Sequence, residues 1–225
     1  MFDWLWAFTK FLASRVRYQV GKSVHGNQVR NLPYVFFIGF NRTATRAFHE
    51  LFLSHGIPSV HWDKNRIVKK MLKNIYSGKR ILSGYDSRFV VFSDLILSNT
   101  RIWIEGNQFF RELYRDYPGA LFVLNTRPTS DWIRSRESQK DGQNLKRQLL
   151  LLQSTDPQMA IEHWRRQKLS HEAQVRDFFK DKPGQFLELD IDSPDVVGQL
   201  SSKLPFLLDE AKWKVVGKSS HGPTF

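Results

Sequence analysis

Four short apolar runs stand out along the chain, each closed by a turn former or a polar residue. Tyr34–Phe40 (YVFFIGF), Phe89–Ser93 (FVVFS), Leu121–Asn125 (LFVLN) and Phe186–Asp190 (FLELD) read as strands, the first of them apolar throughout and broken at Gly39. Between them the apolar residues take up helical spacing. Thr45–His55 places Ala47, Phe48, Leu51 and Phe52 on one face, and Gly56 and Pro58 punctuate its end. Asp63–Tyr76, Asn107–Tyr114, Ser130–Ser138 and the long Gln158–Lys180 are helical in the same way. Strands alternating with helices predict an α/β fold, a three-layer sandwich with a mainly parallel central sheet. Ligands of such sheets gather at the carboxyl ends of the strands, so the chemistry is sought in the residues that follow each apolar run.

Residues 1–30 read as an amphipathic helix followed by a linker. Phe2, Leu5, Trp6, Phe8, Phe11, Leu12 and Val16 fall on one side, with Lys10, Arg15 and Arg17 available for another, and Gly21–Asn31 is polar. The apolar side is expected to pack on its own domain or a partner subunit; peripheral contact with a membrane interface is the alternative. The segment is a poor signal peptide, because its only early charge is Asp3 and Lys10 interrupts the apolar stretch. No apolar run approaches the ~18 residues that a membrane span needs. The expected location is therefore the cytoplasm, with membrane-peripheral association as an option. Residues 31–225 are expected to form a single domain, since 225 residues would be a tight fit for two.

Charge narrows the partners. Lys and Arg total 34 against 22 acidic residues, a net +12, which favours anionic ligands such as nucleotides, acidic saccharides, nucleic acid or an anionic membrane. The basic residues are dispersed among acidic ones, and no aromatic RNA-binding signature or recognition helix is present, which argues against nucleic acid. With no cysteine, disulfides, thiolate catalysis and cysteine-ligated metals are excluded. The histidines and carboxylates show no ligand spacing such as H-E-x-x-H, so no catalytic metal is expected.

The first apolar run leads through Gly39-Phe-Asn-Arg42-Thr43-Ala44-Thr45-Arg46 directly into a helix. Strand, turn and helix N-terminus together make an anion cradle, because the first-turn amides are free and the helix dipole adds positive potential. Arg42 can supply a planar fork of donors, and Thr43 and Thr45 can add hydroxyls. A nucleotide triphosphatase would have G-x-x-x-x-G-K-[ST] here, but Ala44 stands in the place of that Gly and Thr45 in the place of that Lys. A second anion motif follows LFVLN. Arg127 stands at the strand tip, where it can fork onto a phosphate, and Ser135 lies eight residues on in the next helix.

These two motifs, on two strands and in this order, resemble the 5′-phosphosulfate and 3′-phosphate motifs of the sulfotransferases. The chain is closest to a group of small bacterial-type members. Tyr117-Pro118-Gly119 before LFVLN, and the run from His171 through Val175, Phe178 and Phe179 to Asp190, extend the resemblance to roughly residues 34–206. It implies a P-loop nucleotide-binding type of fold and transfer of a sulfuryl group from 3′-phosphoadenylyl sulfate to a hydroxyl or amine, leaving 3′-phosphoadenosine 5′-phosphate. The acceptor is unidentified; a saccharide and a lipid are both compatible with the basic, aromatic composition. Arg42 would stabilise the transferring group and the bridging oxygen. Thr43, the Ala44 amide, Thr45 and Arg46 would hold the 5′-phosphate, and Arg127 and Ser135 the 3′-phosphate. Ala44 departs from the family's usual Gly and adds a methyl without blocking backbone contacts; Arg46 replaces a smaller residue.

A hydroxyl acceptor needs a general base. Asp94, at the end of FVVFS, is the first candidate, as many members of the family place a catalytic His or acidic residue at a comparable strand end; His61 and Asp63, in the loop run His61-Trp62-Asp63 after the first βα unit, are the others, as other branches draw a carboxylate base from near there. Each has a plainer reading, as a cap for Asp94 and as structural or solvated residues for the pair. His49 and Glu50 lie too far down the first helix, and His171 has core-like neighbours. Lys218 in the tail Gly217–Phe225 is a further candidate to close over the nucleotide. Two rivals stand beside this reading: a P-loop kinase with a degenerate loop, and a non-catalytic anion or nucleic-acid binder on the same scaffold.

Overall fold

The computed structural model describes residues 32–214. The expected N-terminal helix and linker, and the tail that carries Lys218, lie outside the described residues. In chain order the strands are β1 (Val35–Phe37), β2 (Ser59–His61), β3 (Val91–Ser93), β4 (Ile96–Ser98), β5 (Trp103–Glu105), β6 (Leu121–Thr126) and β7 (Phe186–Asp190). The helices are α1 (Thr45–Ser54), α2 (Arg66–Tyr76), α3 (Phe110–Asp116), α4 (Thr129–Glu137), α5 (Gln143–Leu152), α6 (Pro157–Phe179) and α7 (Val196–Ser201). Five strands form one wholly parallel sheet in the order β2-β3-β1-β6-β7. The hairpin β4-β5 is antiparallel and separate.

The alternation of side chains along a strand explains why these runs are apolar throughout. Phe36, Phe92 and Phe122 point to one face, where Ile67, Val68 and Met71 of α2, Phe110 and Leu113 of α3, and Val175 and Phe179 of α6 cover them. Val35, Phe37, Val91 and Val123 point to the other, beneath Phe48, Leu51 and Phe52 of α1 and the short helix α7. The molecule is thus an α/β sandwich with helices on both faces of a parallel sheet. Every strand of that sheet ends at the same edge, so the residues following β1, β2, β3, β6 and β7 are gathered there.

The four strands read from the sequence are present. Pairing of the first covers only Val35–Phe37, because the chain turns away into the loop before α1. The helix expected from Asp63 begins at Arg66, because Trp62, Asp63, Lys64 and Asn65 all have positive φ (58°, 42°, 51° and 69°) and form a left-handed turn. That turn is pinned through Asn65, which accepts from the Trp62 indole and Ser98 amide and donates to the Ser98 carbonyl. The segment from Asn107 opens as a 3₁₀ turn over Gly106–Phe109 before α3. The sequence pattern has no counterpart for β2, the β4-β5 hairpin, α5 or α7.

Two buried polar arrangements fix the site's edge. The Asn125 side chain, in β6, accepts the Gly39 N–H at 2.9 Å and donates to the Thr43 carbonyl at 2.8 Å and hydroxyl at 2.7 Å. It thereby holds both ends of the loop after β1. Behind the edge, Arg136 of α4 is fully buried, paired with Glu105 at 2.6 Å and surrounded by the rings of Phe40, Trp103, Trp132 and Trp164. The pair ties α4 to the hairpin.

The loop's backbone generates two expectations. A Cβ at Gly39 would overlap the Asn125 backbone oxygen, which cannot rotate away. Gly39→Ala should cost about 3 kcal/mol and lower Tm by roughly 6–12 °C in thermal unfolding. Ala44 sits at φ 57°, a left-handed conformation that L-residues adopt at a cost. Ala44→Gly should therefore raise stability by about 1 kcal/mol, roughly 2–4 °C in Tm, and no gain would mean that the loop relaxes without the methyl.

Candidate active site

The loop after β1 leaves the N-terminus of α1 open. Its cap residue is Ala44, no side chain caps the first turn, and no acidic residue lies in it. The first-turn amides and the helix dipole are thus available to an anion. Arg42, at φ 71°, turns back over the loop, and its Nε donates to the Ser135 hydroxyl of α4 at 2.9 Å. Thr43 is buried and donates to the Phe40 carbonyl, so its hydroxyl braces the loop. Thr45 is buried as well, and Arg46 is exposed on the first turn of α1.

Arg127 follows β6, half-buried, with one guanidinium nitrogen 3.7 Å from Asp192 beyond β7. Its Nε is buried and has no hydrogen-bond partner. Arg42 and Arg127 are near enough to repel: burial, and next the charge of Arg127, lowers the proton affinity of Arg42, while Asp94 acts the other way. Two guanidinium groups and a helix N-terminus converging on one edge favour a ligand with more than one anionic group.

Asp94 follows β3 in a left-handed conformation, φ 54°. Its carboxylate is 14% exposed and lies 3.7 Å from His61 Nε2, itself 20% exposed at the end of β2. The same nitrogen is 3.3 Å from the Thr45 hydroxyl, so His61 bridges the loop and the carboxylate. Burial raises the Asp94 pKa, and His61 partly opposes it. One oxygen, Oδ1, is buried without a hydrogen-bond partner. A carboxylate that is raised by burial and incompletely bonded is suited to taking a proton.

The structure thus brings Arg42, Thr43, Ala44, Thr45, His61, Asp94, Arg127 and Ser135 to one edge. Asp63 differs: it accepts a hydrogen bond from the Tyr85 hydroxyl and lies 3.8 Å from Arg66, within the left-handed turn. His49 is bonded through Nδ1 to the Ser59 hydroxyl, and burial, with His61 and Arg46 nearby, pushes its pKa down to about 3. It is neutral near pH 7. His171 is buried against the Ile38 carbonyl at 2.8 Å. Among the described residues no group of His and carboxylates could hold a metal ion, and no helix is long and apolar enough to cross a membrane.

Sequence reasoning missed the residues that support this edge. Asn125 carried a signal, a polar residue closing an apolar strand, but its partners lie 82 to 86 residues away. Lys168 and Glu172 of α6 form a buried pair at 2.6 Å next to Thr126. Their i, i+4 spacing is visible in the sequence, yet it is what any solvated helix face shows.

Compared with known proteins, the chain matches no curated sequence. Residues 34–191 match the family model described as a sulfotransferase domain. That range begins just before β1 and ends just after β7, so it takes in all five strands of the parallel sheet and both anion motifs. The chain belongs to the sulfotransferase family, and it is an enzyme of that class.

Proposed function

We propose that the chain transfers a sulfuryl group from 3′-phosphoadenylyl sulfate to a hydroxyl or amine of an acceptor. One observation carries the reading: Arg42 and Ser135, from motifs 93 residues apart, meet in a 2.9 Å hydrogen bond. A single ligand with two separated anionic groups would engage both motifs at once. The residues present fit such a donor. The N-terminus of α1 has no side-chain cap, and the Arg127 Nε is buried with no partner of its own.

When bound, the donor supplies the activated sulfuryl group; the protein's part is positioning and charge stabilisation, as in phosphoryl transfer. Thr45, Arg46 and the amides around Ala44 hold the 5′-phosphate at the head of α1. Thr43 keeps the loop in shape, since its hydroxyl is engaged with Phe40 and Asn125. Arg127 and Ser135 hold the 3′-phosphate. Arg42 stands between the two and stabilises charge on the transferring group and the leaving oxygen.

The acceptor belongs on the other side of the loop. The donor motifs occupy the ends of β1 and β6, whereas Asp94 and His61 end β3 and β2, the neighbouring strands away from β6. Asp94 takes the acceptor proton, and His61 holds the carboxylate and Thr45 in place. Asp63, bonded to Tyr85, shapes the turn and is the weaker candidate for the base. Residues 31–225 act as the catalytic unit, in the cytoplasm, with residues 1–30 as an appendage able to bring it to a membrane surface. A saccharide and a lipid are the acceptor classes to screen.

Two measurements test this. In calorimetric titration the protein should bind 3′-phosphoadenosine 5′-phosphate in preference to AMP and ATP. Arg127→Ala should weaken the bisphosphate by about 10–100-fold and AMP by no more than about twofold. Absence of binding by the folded protein would overturn the donor assignment. Asp94 is active as a base when ionised, so product-nucleotide release with an acceptor found by screening should rise with pH through its raised pKa. The acid limb should therefore lie above the ordinary value of about 3.9. Asp94→Asn should remove that limb and lower kcat by about 100-fold or more; an unchanged profile would leave His61 as the base.

A further inference from the structure

Thr126-Arg127-Pro128-Thr129 joins β6 to α4 and presents Arg127. Pro128 occupies the cap position of α4, so no side chain there closes the turn. The closure comes from α6. The Lys168 ammonium lies 2.6 Å from Glu172 Oε1, 3.3 Å from the Thr126 hydroxyl and 3.4 Å from the Thr129 hydroxyl. Its three N–H bonds thus have three acceptors, two of which are the first and last residues of the turn. Thr126 in turn donates to Glu172 at 2.6 Å. Glu172 is anchored from behind by Arg176 at 3.3 Å, and Arg176 grips Glu188 of β7 through contacts of 2.7 and 2.9 Å.

A buried lysine costs several kcal/mol of desolvation unless it is paired and bonded. Here the whole network stands behind one exposed-edge turn. We propose that Lys168 is a positioning residue for Arg127: by drawing Thr126 and Thr129 together it fixes the direction of the guanidinium, and so sets the enzyme's discrimination for a 3′-phosphate. The inference rests on the donor site proposed above. It concerns a buried residue outside both anion motifs and on a different helix, whose polar contacts are all with the protein.

The test separates this role from a general structural one. Lys168→Met alone leaves Glu172 buried with one cation fewer, so the decisive variant is Lys168→Met combined with Glu172→Gln. That pair removes both charges together and leaves the Arg176–Glu188 contact intact. Thr129→Val is the second variant, removing one acceptor without altering any charge. The full chain is titrated with 3′-phosphoadenosine 5′-phosphate and with AMP, and thermal unfolding is recorded in parallel.

The double variant should bind the bisphosphate about tenfold more weakly, the loss expected when one charge-assisted contact is loosened, and AMP within about twofold of wild type. Thr129→Val should shift the same ratio in the same direction by about threefold. Equal weakening toward both nucleotides, or an unchanged ratio in folded variants, would overturn the inference. Should the double variant fail to fold, the Thr129→Val ratio decides. A wild-type protein that binds both nucleotides alike would instead overturn the donor site itself, whatever the variants do.

Discussion

The site depends first on the Asn125 side chain. A parallel sheet delivers strand ends to one edge but says nothing about the shape of the loops between strand and helix. Asn125 supplies that shape by using one carbonyl and one amide group on three partners of the loop after β1. The contact works only because Gly39 has no side chain, which lets the β6 backbone approach. With both ends of the loop held, Arg42 and Ala44 can remain in left-handed conformations, and the head of α1 points outward without a cap. An Asp in the same place would lack the donor for Thr43, and a Leu would fill the space but bond to nothing.

Electrostatics then builds on that frame in two layers. At the edge, Arg42 and Arg127 stand close enough to disfavour one another, a repulsion that a bound anion relieves. Beneath the edge the charges are buried and paired: Arg136 with Glu105, and Lys168 with Glu172. Removing one partner of such a pair costs about 3–5 kcal/mol; the first pair ties α4 to the hairpin, and the second, within α6, holds the end of β6 through Thr126. The surface pair Arg165–Glu162 contributes about 1 kcal/mol at most and positions nothing at the site.

Much of this was legible in the sequence because its signals are local. Apolar runs closed by polar residues marked β1, β3, β6 and β7, and the residues just after them marked Arg42, Asp94 and Arg127. Strand β2 was not legible, since Ser59-Val60-His61 has a single apolar residue and becomes a strand only by pairing with β3. His61 therefore reads as a loop residue, although its strand-end position is what brings it to Asp94. Arg136 reads as a surface arginine on a polar helix; three of the four rings that bury it, those of Phe40, Trp103 and Trp164, come from distant segments, and only Trp132 lies on its own helix. Lys168 precedes Glu172 in the less favourable order for an exposed helix pair, which marks their value as tertiary rather than helical.

Strain and function meet at the same edge. Of the ten described non-glycine residues with positive φ, seven follow β1, β2 or β3: Arg42, Ala44, Trp62, Asp63, Lys64, Asn65 and Asp94. Such conformations cost of order 1–3 kcal/mol each and persist only where their surroundings over-determine them. Asn125 does this for the first loop, and Asn65 with Tyr85 does it for the second. Asp94 is held by the Ile96 N–H, which donates to its carbonyl at 2.8 Å, and by His61 beside its carboxylate. The two aromatic-rich faces of the sheet offset that cost, which makes the large apolar core a condition of the site rather than a background to it. Softer loops would spare the strain, but they would let Arg42, His61 and Asp94 wander by the ångström on which positioning catalysis depends.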